Sequence, residues 1–230
     1  MAQPTGTTPT VLVHTRTTDY RHASIPYAVD TLRALGFAVR HTEDPGEFAR
    51  GLDPARGAPP AAVVFLSTSG DILTPEGRER LAAYIDGGGG FAGVHAAACT
   101  EYGWPYYGTL LAARFARHPA HQPGRLRVAD HDHPATRHLG ESWEFEDEWY
   151  DFRSDPRSDP AVRVLAYAEE ASYEGAAMGG DHPLVWCRAQ GTGRVFYTGL
   201  GHSEAAWSDP DFRVHVAGGV GWAGRFASPG

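Results

Sequence analysis

The chain has 230 residues, with 28 acidic against 20 basic side chains and a formal charge of −8. All 20 basic residues are Arg; with no Lys there is no Schiff-base or pyridoxal-phosphate anchor and no phosphate-loop lysine, and with no Asn there is no N-glycosylation acceptor. The acidic balance argues against nucleic acid and anionic membranes as partners, no apolar run reaches a bilayer-spanning length, and two Cys make no disulfide framework.

The first strand is read at 10–15, followed by a loop holding Arg21 and His22. Ser24 is an N-cap candidate for a helix to residue 35, whose apolar positions Ile25, Ala28, Val29, Leu32 and Leu35 share one face. A strand at 37–41 and a short helix at 45–51 come next. The unbroken apolar run 61–66 suits a strand buried on both faces. A helix opening at Thr74-Pro75 leads through Gly-rich residues 87–90 to a fourth strand at 91–95. This β-α-β-α-β-α-β order implies a parallel sheet covered by helices. The second half differs. It carries a helical stretch at 106–115, strands at 125–129, 145–152 and 162–168, a hairpin of 183–189 with 194–198, and a terminal helix at 210–223. One domain over 10–225 is expected, with flexible tails at 1–9 and 226–230. The N-terminus lacks the charged and apolar regions of a signal peptide, so a cytoplasmic location is expected.

Open α/β sheets bind ligands beyond the carboxyl ends of their strands. Those ends hold Arg21 and His22, residues 67–71, His95, and His202. In Gly93-Val94-His95-Ala96-Ala97 small residues flank a central side chain, as in the strand-to-helix elbow that presents a nucleophile. Here the elbow carries His, which disfavours a Ser hydrolase or a Cys-dependent glutaminase; the alternative is a buried, hydrogen-bonded His95. Strand alternation would aim Glu146, Glu148 and Tyr150 one way and Asp147 and Trp149 the other. His118 sits in Arg117-His118-Pro119, Asp181 and His182 precede an apolar strand, and residues 130–133 read as a polar turn. No pair has diagnostic metal spacing.

Five ordered motifs carry a resemblance: GGGFAGVHAAA at 88–98, EYGWPYYG at 101–108, EDEWYDF at 146–152, GDHPLVW at 180–186 and GRVFYTGLGH at 193–202, with TRTTDYRH at 15–22 fitting too. Together they resemble the trehalose-utilisation (ThuA-like) family. The resemblance implies a flavodoxin-like three-layer sandwich related to class I glutamine amidotransferases: an α/β fold with a mainly parallel sheet, plus an antiparallel hairpin in the C-terminal half. It also implies a substrate class, sugars and their oxidised 3-keto glycosides. One departure is Cys99, where the family pattern leads us to expect Asp. A neutral thiol does not replace a carboxylate as acceptor.

Two functions follow as expectations. The first is a carbohydrate enzyme using His/carboxylate acid–base chemistry, an isomerase, lyase or hydrolase on a keto-sugar. His95 and His202 would be the acid/base pair and Glu148 a third proton carrier. Arg21 and His22 would stabilise an oxyanion. Trp104, Tyr150 and Trp207 would pack on the sugar beside Asp181 and His182. The cofactor is left open. A divalent metal such as zinc is one candidate, on ligands drawn from His95, His118, Glu148 and His202, and neither PLP nor a nucleotide motif is expected. The second function is a non-catalytic sugar- or partner-binding protein on an amidotransferase-like scaffold. The expected partner is a small-molecule sugar, and a homodimer is a candidate assembly.

Overall fold

The computed structural model describes residues 9–226. Thirteen strands and six α-helices run in this order: β1 (Thr10–His14), α1 (Ile25–Ala34), β2 (Ala38–Thr42), α2 (Pro45–Gly51), β3 (Ala62–Leu66), β4 (Ser69–Gly70), α3 (Pro75–Asp86), β5 (Gly90–Val94), β6 (Cys99–Thr100), α4 (Pro105–Leu111), β7 (Phe115–Arg117), β8 (Gln122–Val128), β9 (Ser142–Asp147), β10 (Asp151–Phe152), β11 (Val162–Ala168), β12 (His182–Gln190), β13 (Gly193–Thr198), α5 (Glu204–Ser208) and α6 (Pro210–Gly224).

Nine strands form one sheet in the order β2-β1-β3-β5-β13-β12-β11-β8-β9. The pairings from β2 to β13 are parallel. Those from β13 to β9 are antiparallel. The fold is the expected α/β, flavodoxin-like class, with an antiparallel part larger than the single hairpin foreseen. That hairpin is present: Gln190 pairs with Gly193 across Gly191-Thr192, and Gly191 takes φ 57°.

The strand order reverses after β2. With right-handed crossovers, this puts connecting helices on opposite faces of the sheet. Every residue of β3 and β5 is buried, as doubly covered strands require. α6 lies across β3, β5 and β13, and α5 joins it to α1. α2 packs on α3. Residue 37 lies just outside β2 and residue 106 just inside α4, which ends earlier than expected where Ala112 turns left-handed.

Two local expectations fail. Ser24 precedes α1 but makes no side-chain cap; its hydroxyl donates instead to the His202 carbonyl at 2.7 Å. The strand expected over 145–152 breaks after Asp147 and resumes only at Asp151–Phe152, paired with β7 rather than the main sheet. Residues 1–8 and 227–230 of the expected tails lie outside the described residues. Phe226 packs its ring against Phe37 at 5.9 Å.

Candidate functional site

The site forms where β1, β5 and β13 end, and its centre is the elbow. β5 stops at Val94, and His95 takes φ 52° as the first residue of a 3₁₀ turn through Ala98. Left-handed backbone is costly for a residue with a Cβ, so the surroundings must hold it. The Tyr197 hydroxyl donates to the His95 carbonyl at 2.9 Å. A Cβ on Gly93 would come within 3.1 Å of Tyr197, 3.2 Å of the Ala97 methyl and 3.2 Å of Leu111. The small flanks read from the sequence are therefore a packing requirement.

The His95 ring is completely buried. Its Nδ1 lies 2.8 Å from the Gly199 carbonyl. A carbonyl only accepts, so Nδ1 carries a proton, and in the neutral ring Nε2 presents a lone pair. Around Nε2 stand the Tyr150 hydroxyl at 2.9 Å, His22 Nε2 at 3.1 Å and Glu148 Oε2 at 3.4 Å. His202 Nδ1 lies 3.2 Å from the same Glu148 oxygen, but out of line for a good hydrogen bond. His95, Glu148 and His202 thus meet, and His22 completes a compact group.

Burial and the neighbouring His95 and His202 push the His22 ring down to about 3, so it is neutral at neutral pH. Burial alone would raise the Glu148 carboxyl. The neighbouring His202 and His95 rings outweigh it and hold Glu148 well below the usual carboxylate range. Glu148 in turn raises the His202 ring. Burial holds Tyr150 far above the ordinary phenol range, leaving a neutral hydroxyl.

A cavity of about 520 Å³ opens beside this group, lined in part by His22, Glu148, Tyr150 and His118. Such a volume suits a sugar-sized ligand. Tyr20 and Tyr102 also line it and are among the few large exposed hydrophobic side chains. His118 Nδ1 donates to the Pro119 carbonyl at 2.7 Å, so in the neutral ring Nε2 is the lone pair; it lies 3.6 Å from Glu148 Oε1.

Several expected site residues lie elsewhere. Arg21 turns outward to an ion pair with Glu43 at 2.7 Å and is no oxyanion donor. Trp104 stacks on Tyr106 and Tyr107 at the start of α4 rather than on the cavity. Trp207 is fully buried, donating from Nε1 to the Gly201 carbonyl, so no sugar reaches it. Asp181 pairs with Arg127 and Arg157 at the surface. His182 is buried behind the site, where Nε2 donates to the Tyr150 carbonyl at 2.8 Å. It helps fix Tyr150 and does not line the cavity. Glu146 pairs with His121, away from Glu148, because the strand alternation ends at Asp147. Cys99 does line the cavity, and burial pushes its thiol up to about 12.

The sequence reading missed Asp147, whose buried carboxylate accepts from the backbone N–H groups of Gly201, His202 and Glu148 at 2.7, 3.2 and 2.8 Å. It also missed the aromatic rim of Tyr20, Tyr102 and Phe115, although Tyr20 and Tyr102 stand inside the quoted motifs.

Among the described residues, two groups of side chains have ligand atoms within 4.8 Å of one another: His22, His95, Glu148 and His202, and separately Asp151, Glu170 and His182. The second group is committed to other partners. Asp151 pairs with Arg117, and Glu170 accepts from the Met178 and Gly179 N–H groups. His118, expected as a ligand, stays outside the first group.

The architecture has known counterparts. A ThuA-like protein from Bacteroides uniformis matches with a TM-score of 0.78 and 23% identity, over 96% of this chain and 95% of that one. A ThuA-like protein from Parabacteroides merdae matches at 0.77 and 22%, over 95% and 90%. A GMP synthase subunit from Thermoplasma acidophilum matches at 0.58 and 12%, over 96% of both chains. This last bears out the amidotransferase-like fold. No curated protein matches the sequence. Among the described residues no helix is long and apolar enough to cross a membrane. The family model for ThuA, described as trehalose utilisation, matches residues 10–223, so this chain belongs to the ThuA family and its function is carbohydrate-related.

Proposed function

We propose that the protein is an enzyme of carbohydrate metabolism acting on a sugar that carries a ring ketone, such as a 3-keto glycoside, by histidine–carboxylate proton transfer. The observation that carries this reading is that His118 Nε2, Glu148 and the Tyr150 hydroxyl converge on one sugar-sized cavity rimmed by Tyr20 and Tyr102. Aromatic rims suit sugars because the C–H faces of the ring pack on π surfaces.

The roles follow from protonation. A ketone makes the C–H beside it removable. His118 Nε2 is the open lone pair at the cavity wall and takes that proton. Glu148, held ionised, is a weak base, but it stabilises the imidazolium that forms 3.6 Å away. Tyr150 keeps its proton and turns it from His95 Nε2, 2.9 Å away, to the developing enediolate oxygen. The His118 imidazolium then returns its proton, either to the former carbonyl carbon, which isomerises the sugar, or to the oxygen of a β-leaving group, which departs as an alcohol and leaves an enone. His95 and His202 do not line the cavity, so they act through Tyr150 and Glu148 rather than on substrate.

The test is deuterium wash-in at the carbon beside the ketone, followed by NMR on a panel of 3-keto glycosides. Wild type should exchange and turn over at least one of them. His118→Ala should slow exchange by ~10²–10⁴-fold, the usual worth of a general base. Binding of keto-sugars without exchange or conversion would establish the binding-protein alternative, for which Cys99 in the cavity wall is the motivating feature. Full-rate exchange by folded His118→Ala would remove His118 from the mechanism.

A further inference from the structure

We infer that His22 Nε2, His95 Nε2, His202 Nδ1 and the Glu148 carboxylate form a binding site for one divalent transition-metal ion, zinc above all. The inference is independent of the reaction proposed above, because it rests on how these four groups face one another.

The spacing comes first. The neighbouring ligand atoms are 3.1, 3.4 and 3.2 Å apart. An ion with bonds of about 2.0–2.1 Å to nitrogen and oxygen, tetrahedrally placed, sets its ligands about 3.3–3.4 Å apart. These three contacts match the spacing of ligands on one ion, and all four ligand atoms lie within 4.8 Å of one another. They come from four distant stretches of chain, after β1, β5, β9 and β13, so no short sequence spacing could have announced them.

Proton placement points the same way. The Gly199 carbonyl fixes the proton of His95 on Nδ1. This is the outer contact that a metal-bound histidine ordinarily makes, and it leaves Nε2 as an acceptor, met by the Tyr150 hydroxyl at 2.9 Å. The same nitrogen lies 3.1 Å from a second ring nitrogen, His22 Nε2. Nδ1 of His22 is buried without a partner, and Nδ1 of His202 has none in good line. Three imidazoles and a carboxylate crowded together, with two of the ring nitrogens left without partners, carry a desolvation cost that a shared cation offsets.

Position and support agree. Asp147 grips the N–H groups of Gly201, His202 and Glu148, tying two of the four ligand-bearing segments together. The Ser24 hydroxyl ties the His22 loop to the carbonyl of His202. His22 and Glu148 also line the cavity, so a bound ion would have a side open to solvent or ligand. Three imidazoles with one carboxylate favour zinc or a similar transition ion over magnesium or calcium, which prefer all-oxygen shells.

Tag-free protein, stripped by chelator and dialysed, is titrated calorimetrically with zinc chloride, and its melting is followed in parallel. Wild type should take up one equivalent and melt higher with zinc. The His131→Ala protein, altered at the surface, should behave the same. His22→Ala and His202→Ala should each weaken uptake by more than the roughly 10–100-fold that loss of a mere supporting residue costs. Cobalt(II) should give the intense visible bands of a low-symmetry, four- or five-coordinate site in wild type and lose them in either variant. Should both alanine variants fail to fold, Glu148→Gln, which keeps the side-chain shape, must show the same loss. Absence of saturable zinc uptake by wild type overturns the inference, as does uptake unchanged in the folded variants. Zinc uptake without sugar turnover leaves this site standing and removes the enzyme reading; turnover by a protein that takes up no zinc does the reverse.

Discussion

A single backbone angle organises the site: His95 at φ 52° turns the chain so that its ring meets His22, Tyr150 and Glu148. The cost of that angle is met by local packing, and Gly93 is part of that packing. Gly93→Ala would press a methyl against Tyr197, Ala97 and Leu111 at 3.1–3.2 Å. We expect it to destabilise the fold by about 1–3 kcal/mol, the usual cost of overpacking, read as a lower urea midpoint. Arg21→Ala makes the contrast. Its ion pair with Glu43 is nearly half exposed, so the change should stay within roughly 0.5 kcal/mol of wild type in the same titration. These two residues also show what sequence reveals at this scale. The elbow was legible because its constraint is local: small residues two positions either side of the turn. The roles given to Trp104 and Trp207 were not, because a Trp looks the same in sequence whether it faces a cavity or, like Trp207, fills the core.

At the scale of elements, the parallel half was legible because each β-α unit writes its own periodicity and caps into a short stretch of chain. Pro75–Asp86 opens with the Thr74 hydroxyl accepting from Gly77, as its sequence announces. The antiparallel half is set by partners far apart. β11 lies between β12 and β8, and β9 pairs with β8 at the sheet edge, so local pattern alone does not place them. The misread strand at 145–152 is the instructive case. Alternation held through Asp147, then the chain left the sheet, and that departure is what delivers Glu148 and Tyr150 to the cavity. Asp147 makes the departure stable by accepting three backbone N–H groups, although burial pushes its own carboxyl upward. Asp147→Ala would strand those donors at the join of β9 and the loop after β13. A loss of roughly 2–5 kcal/mol is expected for a broken buried network of this kind, measured by chemical denaturation. Asp147→Asn, which keeps one acceptor oxygen, should lose less; equal losses would show that the loop does not depend on these bonds.

Across the whole molecule, several histidines serve the core rather than the site, and they tie stability to pH. His14 and His215 each donate from Nδ1 to a backbone carbonyl, Thr42 and Ala135, and leave Nε2 buried without a partner. His133 accepts the Ala135 N–H on Nδ1. Protonating any of them adds a charge to the interior and, for His133, breaks that bond. Burial accordingly lowers His14 to about 4, His133 to about 4 and His215 to about 3, from an ordinary 6.5. In the unfolded chain each takes up a proton near pH 6.5, while the folded protein resists until about pH 3–4. Between those limits the unfolded state binds more protons, so stability must fall as pH falls. A shift of this size is worth on the order of 3 kcal/mol per group once fully expressed. Three such groups together rival the whole stability of an ordinary domain. His22, lowered to about 3 in the site, adds to the same trend. We therefore expect the urea midpoint to drop steeply from about pH 7 to about pH 5, before carboxylate protonation begins to weigh. His14→Gln retains a donor for the Thr42 carbonyl but cannot titrate, so its slope against pH should be shallower than wild type by about one proton. A midpoint flat across that range, or a His14→Gln slope equal to wild type, would show that these rings do not carry the pH dependence of folding.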